Sequence, residues 1–413
     1  MMQDFNLHEL PNGIRMVHKQ VVHTKIVHCG FVLDIGSRDE KPHQLGLAHF
    51  WEHMAFKGTH KRKAFHILNR LDSVGGELNA YTTKEKICFY ASVLDQYLEN
   101  ALELLTDITF QSTFPEKQID KERGVILEEM SMYEDSPEDA LQDLFDSLVF
   151  PNHPLGHNIL GTTETLRSFG RQHFLEFVQQ NLDSRRLIFS CVGNISLKKA
   201  IRLAEKYLAP LPSFRAERQR LPFSGYSPVQ EQQERSIMQA HFAMGCPAYP
   251  LHDERRLPFV MLTNLLGGPA NTSRLNMALR EKKGFVYNVD ASYTPYIDTG
   301  LFSVSFATEP GQLQKSIRLV EREFRLLCEK PLGSLQLHAA QEQLIGQLAM
   351  AEENNASLML MMGKSILDLD RIDSLDDIFG RIRQITAAEL QDMACQTLQP
   401  ANFSSLTLQP LQA

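Results

Sequence analysis

The chain has 413 residues, 43% of them hydrophobic, and a formal net charge of −8. It is long enough to bury two cores of about 200 residues each, and its mild acidity, with no Lys/Arg block, argues against a nucleic-acid partner. No run reaches the ~18 to 20 apolar residues that a membrane-spanning helix needs. The cysteines Cys29, Cys88, Cys191, Cys246, Cys328 and Cys395 are scattered without a Cys-x-x-Cys pair, as expected of reduced thiols in a cytoplasmic protein. Met1 to Leu10 lacks a basic start followed by an apolar run, so no signal peptide is expected.

The chain opens on a hairpin signal: Phe5 to Leu10, the turn Pro11-Asn12-Gly13, then Ile14 to Val17. A strand follows from Ile26 to Ile35. The stretch from Leu45 to Gly58 reads as one short helix, with Gly58 at its stop position. At about 100° per residue, His49, Glu52 and His53 share one face, and Leu45 and Phe56 fall on the same stripe. Two neutral imidazoles on one helix face suit Zn²⁺, and a neighbouring carboxylate suits proton transfer.

Lys63 to Leu71 reads as a second helix, Glu77 to Thr83 and Lys86 to Val93 as paired strands, and Leu94 to Phe110 as a leucine-spaced helix. Thr113 and Glu116 have the spacing of a capping box for the next helix, which runs towards Tyr133. That helix carries Glu122, Glu128 and Glu129, and a third ligand has to come from such a group. Glu122 and Glu129 stand on one stripe, and Glu128 points about 100° away from Glu129. On the residues alone all three remain open.

Leu141 to Leu182 is mainly helical around a Pro/Gly/His loop at Phe150 to His157. Leu187 to Val192 is an apolar strand, and Leu197 to Leu208 a helix. Pro210 to Arg235, rich in Pro, Ser, Gln and charge, reads as a linker. Beyond it, Phe285 to Tyr296, the turn Asp298-Thr299-Gly300, Leu301 to Ala307 and a helix at Leu313 to Leu327 repeat the pattern that begins at Glu77. Leu266-Gly267-Gly268-Pro269-Ala270 is a helix-ending turn. The repeat implies an α+β protein of two similarly folded domains, over residues 1–212 and 235–413 with a linker at 213–234. The second copy lacks a His-x-x-Glu-His, so only the first can hold the metal.

The order His49-Phe50-Trp51-Glu52-His53 inverts the common zincin motif. With it, and with Ser273 to Tyr287, the chain resembles the pitrilysin/insulinase (M16) family of zinc peptidases, chiefly the half-length branch of the mitochondrial processing peptidase and its bacterial homologues. That resemblance implies a LuxS/metallohydrolase-like fold in each half, its sheet mostly antiparallel or mixed and packed with helices. It implies one zinc per chain on His49, His53 and Glu129, with Glu122 steadying a ligand histidine. It makes Glu52 the base for a zinc-bound water, assigns Asn79 and Ala80 to the peptide, and assigns Arg280 and Tyr287 to the tetrahedral intermediate. Because half-length chains pair, it implies a homodimer whose Arg280 and Tyr287 act in trans. The activity implied is endopeptidase cleavage of peptides or unfolded segments in an enclosed dimeric chamber. The alternatives are a non-proteolytic scaffold of the same fold, or a processing peptidase for one precursor.

Overall fold

The alternating apolar residues of the strands gather into two sheets, of six and five strands, in a computed structural model that describes residues 5–411. Met1 to Asp4, part of the N-terminal reading above, lie outside the described residues. In chain order the first half contains β1 (Asn6–Glu9), β2 (Arg15–Gln20), β3 (Ile26–Leu33), α1 (Leu47–Ala55), α2 (Ala64–Asp72), β4 (Glu77–Thr82) and β5 (Ile87–Leu94). It continues with α3 (Leu98–Phe110), α4 (Glu116–Asp135), α5 (Pro137–Val149), α6 (Thr163–Ser168), α7 (Arg171–Asn181), β6 (Leu187–Gly193) and α8 (Leu197–Tyr207). The second half contains β7 (Gln230–Arg235), β8 (Ala240–Ala248), α9 (Arg256–Gly267), β9 (Val286–Pro295), β10 (Gly300–Thr308) and α10 (Leu313–Glu329). After these come α11 (Ser334–Glu352), α12 (Asn355–Leu369), α13 (Leu375–Gln384), α14 (Ala387–Thr397) and β11 (Ser404–Pro410).

The sheets have the orders β1-β2-β6-β3-β5-β4 and β7-β11-β8-β10-β9. Apart from β1 they are the same path: a parallel pair, β2 with β6 or β7 with β11, and then antiparallel neighbours out to an edge at β4 or β9. The chain is therefore an α+β protein of duplicated design. Central strand β6 is buried along its whole length, which explains why Leu187 to Val192 reads as an apolar run broken only by Ser190. At the edge, β4 alternates exposed and half-buried residues from Glu77 to Ala80.

The two units interleave along the chain, where the sequence reading drew contiguous domains. The first comprises Met1–Met130, His157–Arg220 and Met350–Ser374, and the second Ser131–Gly156, Leu221–Ala349 and Leu375–Ala413. In the first unit α12 packs Leu358, Met359, Met362 and Ile366 against Val17, Ile188 and Val192. Gly363 permits that close packing, because a Cβ there would stand 2.7 Å from the Val32 side chain. In the second, α5 places Leu141, Phe145 and Val149 against Ala243, Leu301, Leu406 and Leu408.

Three local expectations are corrected. The end of the expected linker is strand β7, paired in parallel with β11. Its start is fastened rather than free: Arg218 and Arg220 form ion pairs with Asp34 and Asp39 in the first unit. The capping box at Thr113 and Glu116 does not form. The Thr113 hydroxyl donates to the Gly58 carbonyl, Glu116 accepts from the Arg171 N–H, and the Gln118 and Ile119 N–H groups bond to the Pro115 carbonyl. Finally, α1 begins at Leu47, so Leu45 precedes the helix instead of sharing its stripe. Among the described residues no helix is long and apolar enough to cross a membrane, and all six cysteines are free.

Candidate metal centre and active site

Helix α1 is held from both ends. Gly46, at φ 92°, is its N-cap, and a Cβ there would meet the Leu160 carbonyl at 2.4 Å. Buried Glu40 reaches across the turn, its Oε2 accepting from Gly46 N at 2.9 Å and its Oε1 from Ala48 N at 2.7 Å. Two of the N–H groups that a helix start leaves without partners are thereby satisfied. The apolar face buries Leu47, Phe50, Trp51 and Met54, with Trp51 against Phe89 and Phe177. The helix stops at Ala55 with Phe56 as its C-cap, and Gly58, at φ 152°, turns the chain onward.

On the opposite face the two imidazoles lie with ring centroids 4.6 Å apart. Helix α4 brings Glu129 to them: Oε1 is 3.9 Å from His49 Nε2, and Oε2 is 3.6 Å from His53 Nε2. One donor atom from each of these residues lies within 4.8 Å of the others. Four-coordinate zinc with bonds of about 2.0–2.1 Å holds its ligand atoms roughly 3.3–3.4 Å apart. Two imidazoles and a carboxylate, spaced a little wider than that and too far for direct hydrogen bonds, fit such an ion. Glu128 is exposed on the same helix and Glu129 half-buried, so α4 turns Glu129 inward and its rival outward.

Glu122, two turns back on the same stripe of α4, bonds His53 Nδ1 through Oε1 at 3.2 Å. Its Oε2 receives the Lys57 ammonium at 2.8 Å. Burial pushes the Glu122 carboxyl up, but the bonds from His53 and Lys57 outweigh it and hold the group below the usual range. A carboxylate behind one nitrogen fixes the tautomer and leaves Nε2 as the metal-facing atom of His53. Glu52 sits beside the pair, and Thr82 on β4 donates its hydroxyl to Glu52 Oε2 at 2.6 Å. Burial raises the Glu52 carboxyl, countered in part by the Thr82 bond.

His49 is 8% exposed, and its Nδ1 is buried without a hydrogen-bond partner. Burial, reinforced by His53, lowers its pKa from 6.5 to about 3. The folded chain thus keeps His49 neutral, the form that binds metal. Between about 3 and 6.5 the unfolded chain takes up a proton that the folded one refuses, so stability falls as pH falls through that window. The metal-free protein is expected to lose urea resistance over this range, and His49→Gln to flatten the slope. Parallel slopes for the two proteins in stepped-pH denaturation would contradict it.

The other assigned residues fall in two places. Asn79 and Ala80 lie on edge strand β4 in the first unit. Arg280 and Tyr287 belong to the second unit, Arg280 on a π-helical turn at Asn276–Glu281 and Tyr287 at the start of β9. The Arg280 guanidinium stands 5.7 Å from the centroid of the Tyr287 ring, and Tyr287 is 88% exposed. Sequence reasoning passed over Glu40, Lys57 and Thr82. Only Lys57, four residues after His53, carried a local spacing signal; Glu40 and Thr82 act through a turn and a strand that spacing does not reveal.

The chain matches two family models: "Insulinase (Peptidase family M16)" over residues 15–163 and "Peptidase M16 inactive domain" over residues 168–344. It is 33% identical over 385 residues to a Bacillus subtilis protein named uncharacterized zinc protease YmxG, covering 93% of each chain. A Rickettsia bellii protein named uncharacterized zinc protease is 31% identical over 390 residues, covering 94% of each. Among solved structures, a peptidase M16 inactive domain from Pseudomonas fluorescens superposes with a TM-score of 0.92 at 17% identity, covering 100% of this chain and 99% of that one. A protease from Helicobacter pylori does so with a TM-score of 0.90 at 18% identity, covering 98% and 99%. These last two are likenesses of fold. Matched over nearly its whole length, in sequence as in architecture, the chain belongs to the insulinase family of peptidases, M16.

Proposed function

We propose that this protein is a zinc-dependent peptidase, with His49, His53 and Glu129 as the metal ligands. The observation that carries the reading is the convergence of those three donor atoms within 4.8 Å, beside a carboxylate that is free of the ligand set. Bound there, zinc would supply Lewis acidity towards water and the scissile carbonyl. Glu52 takes the proton of the attacking water and returns it to the departing amine, work suited to a carboxylate whose basicity burial has raised. Glu122, backed by Lys57, keeps the His53 ring in place.

The substrate is a peptide or unfolded segment, cut internally. It adds as a strand to the open edge of β4, where main-chain bonds at Asn79 and Ala80 ask little of sequence. Metal analysis is expected to find one zinc per chain, and a chelator to abolish cleavage of an internally quenched peptide until zinc is restored. Protein purified without metal and inert on such peptides would instead favour a scaffold.

The finer proposal is a homodimeric chamber, in which Arg280 and Tyr287 of each subunit serve the metal centre of the other. A guanidinium and a phenol are donors for a developing oxyanion, and the exposure of Tyr287 leaves it available to a second copy. Mixing Glu52→Gln with Tyr287→Phe subunits should restore one intact site in each mixed dimer. Failure of activity to recover despite demonstrated subunit exchange would refute action in trans.

A further inference from the structure

A glutamate that works as a base has a mechanical problem. Its terminal torsion is broad and nearly two-fold, so nothing in the side chain itself decides which oxygen faces the reaction. In this protein the decision is made from outside α1. The Thr82 hydroxyl has a single proton, and it is given to Glu52 Oε2 at 2.6 Å, the short O–H···O distance of a charge-assisted bond. Among the described residues no hydrogen bond engages Oε1.

The donor itself is rigidly placed. Thr82 is β-branched and stiff at χ1, and it stands opposite Ile87 in the β4/β5 register. Just beyond it, the Thr83 N–H bonds the Lys86 carbonyl at 2.7 Å, and the Thr83 hydroxyl receives the Lys86 N–H at 2.9 Å, locking the turn. Thr82 also belongs to the edge strand on which the proposed peptide would lie.

We infer that Thr82 is a positioning residue: it orients the Glu52 carboxylate so that Oε1 takes the proton, and it ties that orientation to the strand that receives the substrate. The inference rests on the peptidase reading above and deepens it. Peptide register and proton acceptor then share one reference, and misalignment of the base shows in turnover rather than in binding.

The test compares Thr82→Val, which keeps the shape and loses the hydroxyl, with Thr82→Ser, which keeps the hydroxyl; Thr82→Ala replaces the valine variant should that one not fold. In Thr82→Val, kcat is expected to fall about 10- to 100-fold, with KM and zinc content within about twofold of wild type, and Thr82→Ser to recover most of the loss. A loss confined to KM or to zinc content would overturn the inference, as would undiminished kcat. An independent readout is the infrared carboxylate band of Glu52 in protein labelled with ¹³C-glutamate, isolated by subtracting the Glu52→Gln spectrum. The band should shift in Thr82→Val and return in Thr82→Ser; an unmoved band overturns the role of Thr82 whatever the kinetics. Wild-type protein that cleaves nothing would sink the peptidase reading alone, because the spectra still decide whether Thr82 orients Glu52.

Discussion

Glu52→Gln is expected to lower kcat by about 10²–10⁴-fold while leaving zinc content and thermal stability near wild type. Glutamine has almost the same volume and can still accept the Thr82 hydroxyl bond made by Glu52. It keeps the packing of α1 and lies outside the set of His49, His53 and Glu129, so the metal should remain. What it lacks is a basic oxygen, and that loss corresponds to about 3–5 kcal/mol of transition-state stabilisation. Steady-state kinetics on a quenched peptide, with metal analysis of the same sample, checks both halves. Activity within tenfold of wild type would remove Glu52 from the proton-transfer role.

The second large effect concerns a residue far from the chemistry in sequence. Glu40→Ala should destabilise the protein by about 2–5 kcal/mol, because it takes the carboxylate acceptor away from the Gly46 and Ala48 N–H groups in a buried site. Burial pushes the Glu40 carboxyl well up, and the two backbone N–H bonds pull it back. The consequence reaches the metal, since a frayed start of α1 loosens His49. Urea unfolding should show the lost stability, and competition with a chromophoric chelator should show weaker zinc binding. A midpoint change worth less than about 0.5 kcal/mol would mean that the N-terminus of α1 is held by packing alone.

Much of the site was legible in the sequence because it is local. His49, Glu52 and His53 need only the helical period to share a face, and α1 runs from Leu47 to Ala55 as that period requires. The duplication was legible for the same reason: two strand-turn-strand-helix runs repeat, and the sheets they build follow the same strand order. Where reading failed, the governing contact was distant. Thr113 and Glu116 have the spacing of a cap, yet each bonds to a partner more than 50 residues away, Gly58 or Arg171. Gln230–Arg235 is polar enough to pass for linker, and it becomes a strand because β11, from the far end of the chain, offers its backbone.

The sequence by itself determined the period-bound features: which residues share a helix face, which strands alternate, that His49, Glu52 and His53 cluster in the first half, and that the chain is a doubled design. It left the third ligand open, because Glu122, Glu128 and Glu129 all ride one helix and only the rotation of α4 against α1 turns Glu129 to the imidazoles. The tertiary structure alone decided that rotation, the exchange of α5 and α12 between units, and the grips of Glu40, Lys57 and Thr82. Each depends on a side chain meeting a group brought near by the packing of other elements. A spacing rule describes one segment's geometry, and it holds no information about what folds against it.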